Sequence, residues 1–165
     1  MHIRQIEEPD AEAFLDLCQS LDKETRFMLL EAGERTTTIE EEEKIIRGVL
    51  SRDNQTIFVV EHSGQLVGYL AALGGRYCRN RHSAHVVIGI RQAFTRQGLG
   101  VRLFTELEQW AQRHNIHRLE LTVMAPNQAG LSLYRKMGFS IEGTKRDSLL
   151  VDGTYVDEYY MAKLI

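Results

Sequence analysis

The stretch that decides the reading is Val86-Val87-Ile88-Gly89-Ile90-Arg91-Gln92-Ala93-Phe94-Thr95-Arg96-Gln97-Gly98-Leu99-Gly100. Its β-branched, apolar beginning reads as a buried strand. It closes in a glycine-bearing turn. From Val101 the spacing of Leu103, Phe104, Leu107, Trp110 and Ala111 predicts an amphipathic helix with one apolar face. Strand, glycine turn and helix start together make an anion site, because the first helical N–H groups have no partner within the helix and the dipole is positive there. Gly98 and Gly100 carry no Cβ, so a phosphate can come close to the backbone. Two glycines alone fit a tight connection that binds nothing better than they fit a ligand site. Neither familiar dinucleotide or nucleotide loop applies. Leu103 stands where the third Rossmann glycine would be, and no Gly-Lys-Ser/Thr follows for a P-loop.

Working outward, His2 to Ile6 alternates as a short strand. Pro9-Asp10 opens a helix with Ala13, Phe14, Leu17 and Cys18 on one face, and a second helical stretch is expected from Lys23 to Leu30. Gly33 and Thr36 to Thr38 break it. Thr38 is placed to cap a helix from Ile39 to Leu50, whose acidic run Glu40 to Glu43 reads as a solvated face. Strands Thr56 to Glu61 and Leu66 to Leu73 form a hairpin through His62 to Gln65. Arg76 to His85 reads as an exposed basic turn. His82 and His85 have no carboxylate or cysteine beside them, so no metal site is expected. Arg118 to Met124 alternates as a strand, and the helix-length connection from Val86 to Ile90 implies parallel pairing with it. Pro126-Asn127 opens a helix with Leu133, Tyr134 and Met137 inward, stopped by Gly138. Phe139 to Leu150 and Thr154 to Leu164 form a last hairpin through Asp152-Gly153. The pattern is an α/β chain, a mixed sheet with helices on both faces.

The 165 residues suit one domain with its own core. A formal net charge of -3 argues against nucleic acid or an anionic membrane surface as partner. No apolar run reaches membrane-spanning length, and Met1 to Gln5 lacks the apolar core of a secretory signal. Cys18 and Cys78 are too few for a disulfide framework, so a reducing, cytoplasmic setting is the default expectation.

The glycine turn becomes specific when joined to Asn127-Gln128-Ala129-Gly130-Leu131-Ser132-Leu133-Tyr134-Arg135-Lys136-Met137-Gly138-Phe139. With both stretches, the chain resembles the GNAT superfamily of acetyl-CoA-dependent N-acetyltransferases across essentially its whole length. The family's Arg/Gln-x-x-Gly-x-Gly/Ala pattern falls on Thr95 to Gly100. Its Asn-x-x-Ala-x-x-Leu-Tyr pattern, followed by Gly-Phe, falls on Asn127, Gly130, Leu133, Tyr134, Gly138 and Phe139. Thr95 stands where Arg or Gln is usual, and Gly130 replaces the usual Ala.

The resemblance implies the GNAT fold, a mostly antiparallel sheet of six to seven strands with a splayed parallel pair. It also implies acetyl-CoA as co-substrate, with no metal. By resemblance, backbone N–H groups of Arg96, Gln97, Gly98, Leu99, Gly100 and Val101 meet the pyrophosphate, and the pantetheine arm runs along Ile88, Gly89 and Ile90. Asn127, which also reads as a plain helix cap, contacts the coenzyme. Gly89 suits a bulge or a close ligand approach. Tyr134, on spacing alone a core tyrosine, is implied to sit near the sulfur and protonate the departing thiolate. The reaction needs a base for the acceptor amine. Glu120 is the first candidate, with Glu31, Glu34, Asp157, Tyr159 or a water relay behind it. The implied acceptors are a small-molecule amine, an amino acid or a protein N-terminus, and homodimers are common among similar proteins. A non-catalytic acyl-CoA-binding module with the same fold is the alternative function; a dinucleotide-dependent oxidoreductase is a weaker one.

Overall fold

A computed structural model describes residues 1–165. Seven strands form one sheet: β1 (His2–Gln5), β2 (Gln55–His62), β3 (Gln65–Gly74), β4 (Ser83–Ile90), β5 (Arg118–Met124), β6 (Ser140–Val151) and β7 (Thr154–Leu164). Their order across the sheet is β1-β2-β3-β4-β5-β7-β6. All neighbours are antiparallel except β4 and β5, which are parallel. The helices are α1 (Ala11–Glu24), α2 (Ile39–Leu50), α3 (Leu99–Arg113) and α4 (Gln128–Lys136). The mixed sheet, the parallel pair and both hairpins are as the pattern predicts. Ser63-Gly64 and Asp152-Gly153 both have positive φ, the two-residue turn that matches strand twist.

Each face of the sheet has its own core. Alternate residues of β4 and β5, Ala84, Val86, Leu119, Leu121 and Val123, pack with Leu103, Phe104, Leu107 and Trp110 of α3 and Leu131 and Tyr134 of α4. The opposite face is covered by α1 and α2, through Phe14, Leu17, Leu21, Ile46 and Val49 against Val59 and Tyr69. No helix is long and apolar enough to cross a membrane.

Several sequence expectations are corrected. No second helix follows α1: Thr25 takes extended backbone at its end, and the Thr25 hydroxyl accepts the Phe27 N–H at 3.1 Å. Phe27 and Leu29 lie exposed and only Met28 packs on the core, too little for a helical apolar face. Ala13 points to solvent; the buried face of α1 is Ala11, Phe14, Leu15, Leu17, Cys18 and Leu21. The basic turn ends earlier than expected, because β4 begins at Ser83 and takes in His85. Helix α3 begins at Leu99, two residues before Val101. Of the acidic run, Glu42 is not solvated but buried on the same face of α2 as Ile46 and Val49.

Gly89 is corrected most sharply. The β3–β4 register runs unbroken past it, with no bulge. A Cβ there would lie 2.6 Å from Leu21 Cδ1 and 3.0 Å from Tyr69 Cε1. The glycine is required because α1 and the Tyr69 ring lie directly against the strand. Both neighbours are buried and cannot yield. Gly89→Ala is expected to cost about 1–3 kcal/mol of folding stability by overpacking, read as a lower urea midpoint with an unchanged slope.

Candidate active site

Strands β4 and β5 pair only at Ser83–Arg118, Ala84–Leu119 and His85–Glu120, and then part. The direction of the freed groups follows from strand alternation. The Arg91 N–H donates to Val67 O and Ser83 O accepts from the Gly75 N–H, so odd-numbered residues of β4 bond toward β3. The N–H and C=O of Ile88 and Ile90 therefore point into the gap, while those of Gly89 point to β3. On the far wall, the Arg118 N–H bonds His82 O and the Ala125 N–H bonds Asp157 O. By the same alternation, Thr122 faces the gap. Ile88 and Ile90 are only half-buried, unlike Val86, the residue next to the paired segment.

The gap ends at the start of α3. Gly98 is the N-cap residue at φ 78°, in the left-handed region that glycine favours, and Arg96 is also left-handed at φ 59°. The first helical bond is from the Arg102 N–H to Gly98 O, 3.1 Å. The N–H groups of Leu99, Gly100 and Val101 are thus left without helical partners, and no side chain caps them. The nearby side chains turn away. Gln97 Nε2 donates to Ala93 O at 3.2 Å, and the Thr95 hydroxyl donates to Gln92 O at 2.8 Å. The two glycines do different work. A Cβ on Gly98 would meet nothing, so its backbone twist is what matters. A Cβ on Gly100 would lie 2.7 Å from Leu133 Cδ2, so its smallness lets α3 and α4 close up.

Helix α4 leaves β5 through Asn127, whose Oδ1 accepts the Gly130 N–H at 2.9 Å. This is the expected cap. A Cβ at Gly130 would lie 2.7 Å from Asn127 Nδ2, which explains the glycine there. Tyr134 is buried, its ring edge-on to Phe104 at 5.9 Å between centroids. Its hydroxyl makes no hydrogen bond within the chain, yet no side-chain oxygen in the protein is both fully enclosed and without a partner. The Tyr134 hydroxyl therefore opens onto accessible space. Burial pushes this phenol up to about 12.

Glu120 lies at the closed end of the parallel pair, opposite His85. It accepts from Arg118 Nε at 2.8 Å, and Arg118 also holds Glu142. The structure does not bring it together with Tyr134, Asn127 and the α3 amides. Asp157 accepts the Asp147 N–H at 2.8 Å, and Glu31 and Glu34 are exposed.

A group of residues beside the gap was not legible in the sequence. Tyr69 lies against Gly89, edge-on to Phe14 at 5.1 Å. Around it are Cys18, Asp22 and Arg35, and the Tyr134 phenol also acts on it electrostatically. Arg35 holds Asp22 with two bonds, Nε–Oδ2 at 2.8 Å and Nη2–Oδ1 at 3.0 Å. Glu42 faces Arg35 and Cys18. Burial pushes the Cys18 thiol up to about 12. These residues come from α1, the following loop, α2 and β3, so no local motif announces them. At the end of α1, Glu24 accepts from Arg91 Nε at 2.7 Å and from the Gln92 N–H at 2.8 Å, tying this layer to the exit of β4.

Comparison with known proteins agrees with this geometry. Residues 13–139 match the model of the Acetyltransferase (GNAT) family. The chain is 33% identical over 105 residues to the L-amino acid N-acetyltransferase AaaT of Escherichia coli K12, a match covering 61% of this chain and 63% of that protein. The match thus spans less than two thirds of that relative's length. A crystal structure of a GNAT-family acetyltransferase from Streptococcus pneumoniae superposes with a TM-score of 0.96 at 34% identity, covering 99% of both chains. A ribosomal-protein-alanine N-acetyltransferase from Brucella melitensis superposes with a TM-score of 0.87 at 26% identity, covering 100% of both. With the splayed parallel pair, the uncapped turn and the family match all in the same segment, this chain belongs to the GNAT acetyltransferase family.

Proposed function

We propose that this protein is an N-acetyltransferase that moves an acetyl group from acetyl-CoA to a primary amine by direct attack. The acceptor is a small-molecule amine, an amino acid or a protein N-terminus. The observation that carries the reading is the row of three uncapped amides at Leu99, Gly100 and Val101, at the open end of the gap between β4 and β5. A pyrophosphate satisfies these donors without a metal. The residues fit the coenzyme along its length. Arg96, Gln97 and Gly98 complete the turn around the phosphates. Ile88 and Ile90 offer strand-like pairing to an amide-bearing arm, Gly89 holds the wall between them, and Asn127 stands at the mouth. Acetyl-CoA supplies an activated acyl thioester there.

The chain's own part in the chemistry is orientation and proton handling. A gap-facing N–H of β4 polarises the thioester carbonyl. The amine nitrogen attacks the carbonyl carbon, the C–S bond breaks, and the Tyr134 hydroxyl gives its proton to the leaving sulfur. The phenoxide is reprotonated, through water, by the second proton that the nitrogen sheds as the amide forms. A thiol has a pKa near ~8.5, well below a buried phenol, so this donation happens only as the C–S bond breaks and charge builds on sulfur. The proton that the acceptor ammonium sheds before attack we assign to Glu120 by way of water, because its carboxylate lies at the closed end of the strand pair and does not reach the site directly.

Purified protein with acetyl-CoA and a panel of amines is expected to release free thiol, measured colorimetrically. Saturable coenzyme binding with no thiol release on any amine would leave a binding module instead. Tyr134→Phe is expected to lower kcat on the order of 10²-fold, with acetyl-CoA affinity and melting temperature nearly unchanged, because its hydroxyl bonds nothing in the chain; unchanged turnover removes it from the acid role. Glu120→Gln is expected to lower kcat by about tenfold or less, the mark of a relay rather than a contact. The pH profile follows from burial of Tyr134. With its phenol pushed up to about 12, it stays protonated through the working range. Turnover should therefore climb toward the pKa of the acceptor ammonium, ~10.4 for an alkylamine, with no descending limb below about pH 10.

A further inference from the structure

Two charged stretches take no part in the site described above: the acidic start of α2 and the basic turn before β4. The fold sets them at opposite ends of one helix. Glu40 and Glu41 lie exposed in the first turn of α2. Glu41 gives one oxygen to the capping box with Thr38 and keeps the other free. At the far end, Arg52 follows the helix cap Ser51 and lines a cleft of about 380 Å³ together with Arg76 and Arg81 of the turn. Arg79 stands exposed on the same turn. Of these four guanidiniums Arg81 alone is paired within the chain, with Asp53 at 3.0 Å. The cleft is held in shape by buried Asn54, whose Nδ2 donates to Gly75 O at 2.9 Å and to Arg81 O at 3.1 Å.

Between these ends runs a flank of α2 that the core does not use. The core takes Glu42, Ile46 and Val49. Glu41, Ile45, Gly48 and Arg52 follow at helical spacing along another side. Ile45 is 50% exposed, and a Cβ on Gly48 would meet nothing within 4 Å. A glycine inside a helix lowers its stability. Gly100 and Gly130 have neighbours that require one; Gly48 has none. A bulky apolar side chain thus stands one turn from an open hollow, with acid before it and base after it. This flank is its own complement. Turned end for end about the point between Ile46 and Arg47, Glu41 falls opposite Arg52 and Ile45 opposite Gly48. A two-fold axis asks for that relation, since residue i meets j wherever j meets i. Antiparallel helices also bring the positive end of one dipole beside the negative end of the other.

We propose that this flank of α2 docks a second copy of the chain, in a two-fold dimer with the two α2 helices antiparallel. The acidic start of each helix meets the arginine cleft of the other, and each Ile45 fills the hollow over the other's Gly48. Such a dimer is independent of the transferase reading. Helix α2 packs on β2, two strands from β4, so the pairing uses none of the residues that line the gap. A helix of 12 residues is about 18 Å long, so the contact is short. An interface of that size gives a dissociation constant on the order of 10 μM. Its charged ends are exposed, so salt weakens it.

The test is the mass of the full chain in solution, read by sedimentation velocity from about 1 μM to about 200 μM, either side of that constant. The parent is expected to pass from monomer to dimer over this range, and to do so at higher concentration when salt is raised from about 50 mM to about 500 mM. Gly48→Trp places bulk where the monomer has open space and where the dimer needs a hollow. It is expected to stay monomeric throughout, with a melting temperature at about 1 μM no lower than the parent's, because glycine is the poorer helix former. Arg52→Glu is expected to weaken association about tenfold or more. A parent that is monomeric at every concentration overturns the proposal. A dimer that survives in folded Gly48→Trp also overturns it, by placing the contact on another face. So does a dimer unmoved by both Arg52→Glu and salt. Should Gly48→Trp fail to fold, Arg52→Glu and the salt series decide alone. Thiol release from acetyl-CoA, measured alongside, bears on the transferase reading and not on the dimer.

Discussion

The structure depends on two parallel strands that stop pairing. Backbone N–H and C=O groups are almost never left without a partner away from water. After His85 and Glu120, however, β4 and β5 separate, and the polar edge of Ile88 and Ile90 is turned toward open space. The uncapped amides of Leu99, Gly100 and Val101 lie at the end of the same space. A globular chain tolerates such a seam only where water or a ligand reaches it. Everything nearby keeps it open. Leu21 and Tyr69 close one face of β4 over Gly89, and Leu133 closes the α3–α4 angle over Gly100.

This arrangement explains why the glycines of the segment are not equivalent. Gly98 is there for its positive φ, Gly100 for the nearness of Leu133, Gly130 for the Asn127 amide and Gly89 for Leu21 and Tyr69. Read from sequence, Gly89, Gly98 and Gly100 suggest a backbone that a ligand approaches. Only Gly98, with nothing in front of its Cα, fits that description. The other three let secondary structures pack closely enough that the amides and strand edge come into line.

The sequence disclosed those parts of the fold and site that rest on local rules. Strand alternation, the two Gly hairpin turns, the amphipathic stripe of α3 and the Asn127 cap each follow from a few neighbouring residues, and each appears where expected. The failures have a common origin. Lys23 to Leu30 looked helical because its composition permits a helix, but no neighbouring element offers Phe27 and Leu29 a surface. Glu42 looked solvated because acid runs at helix starts usually are. It lies on the face of α2 that carries Ile46 and Val49 into the core, and which face is packed is a matter between elements that no local pattern specifies. The position of Glu120 at the closed end of the strand pair, engaged by Arg118, comes from the register with β4 and is likewise written in no local pattern.

The coenzyme half of the site and the layer beside it are built from different materials. The coenzyme half is mainly backbone: amides at a helix start and the free edge of a strand, fixed by the fold itself and little affected by side-chain identity. The layer beside it, with Cys18, Asp22, Arg35, Glu42 and Tyr69, is made of side chains contributed by elements far apart in the chain. A substitution there leaves the sheet and the α3 turn untouched. The charge and shape of that layer can therefore change while the backbone donors of the seam stay as they are. The cost of holding Glu42 unpaired falls on the α1–α2 layer alone, next to the gap but outside the pairing that holds the sheet together. A charge that penalises the folded state is tolerable in that position because it can be lost or neutralised without disturbing the seam on which coenzyme binding rests.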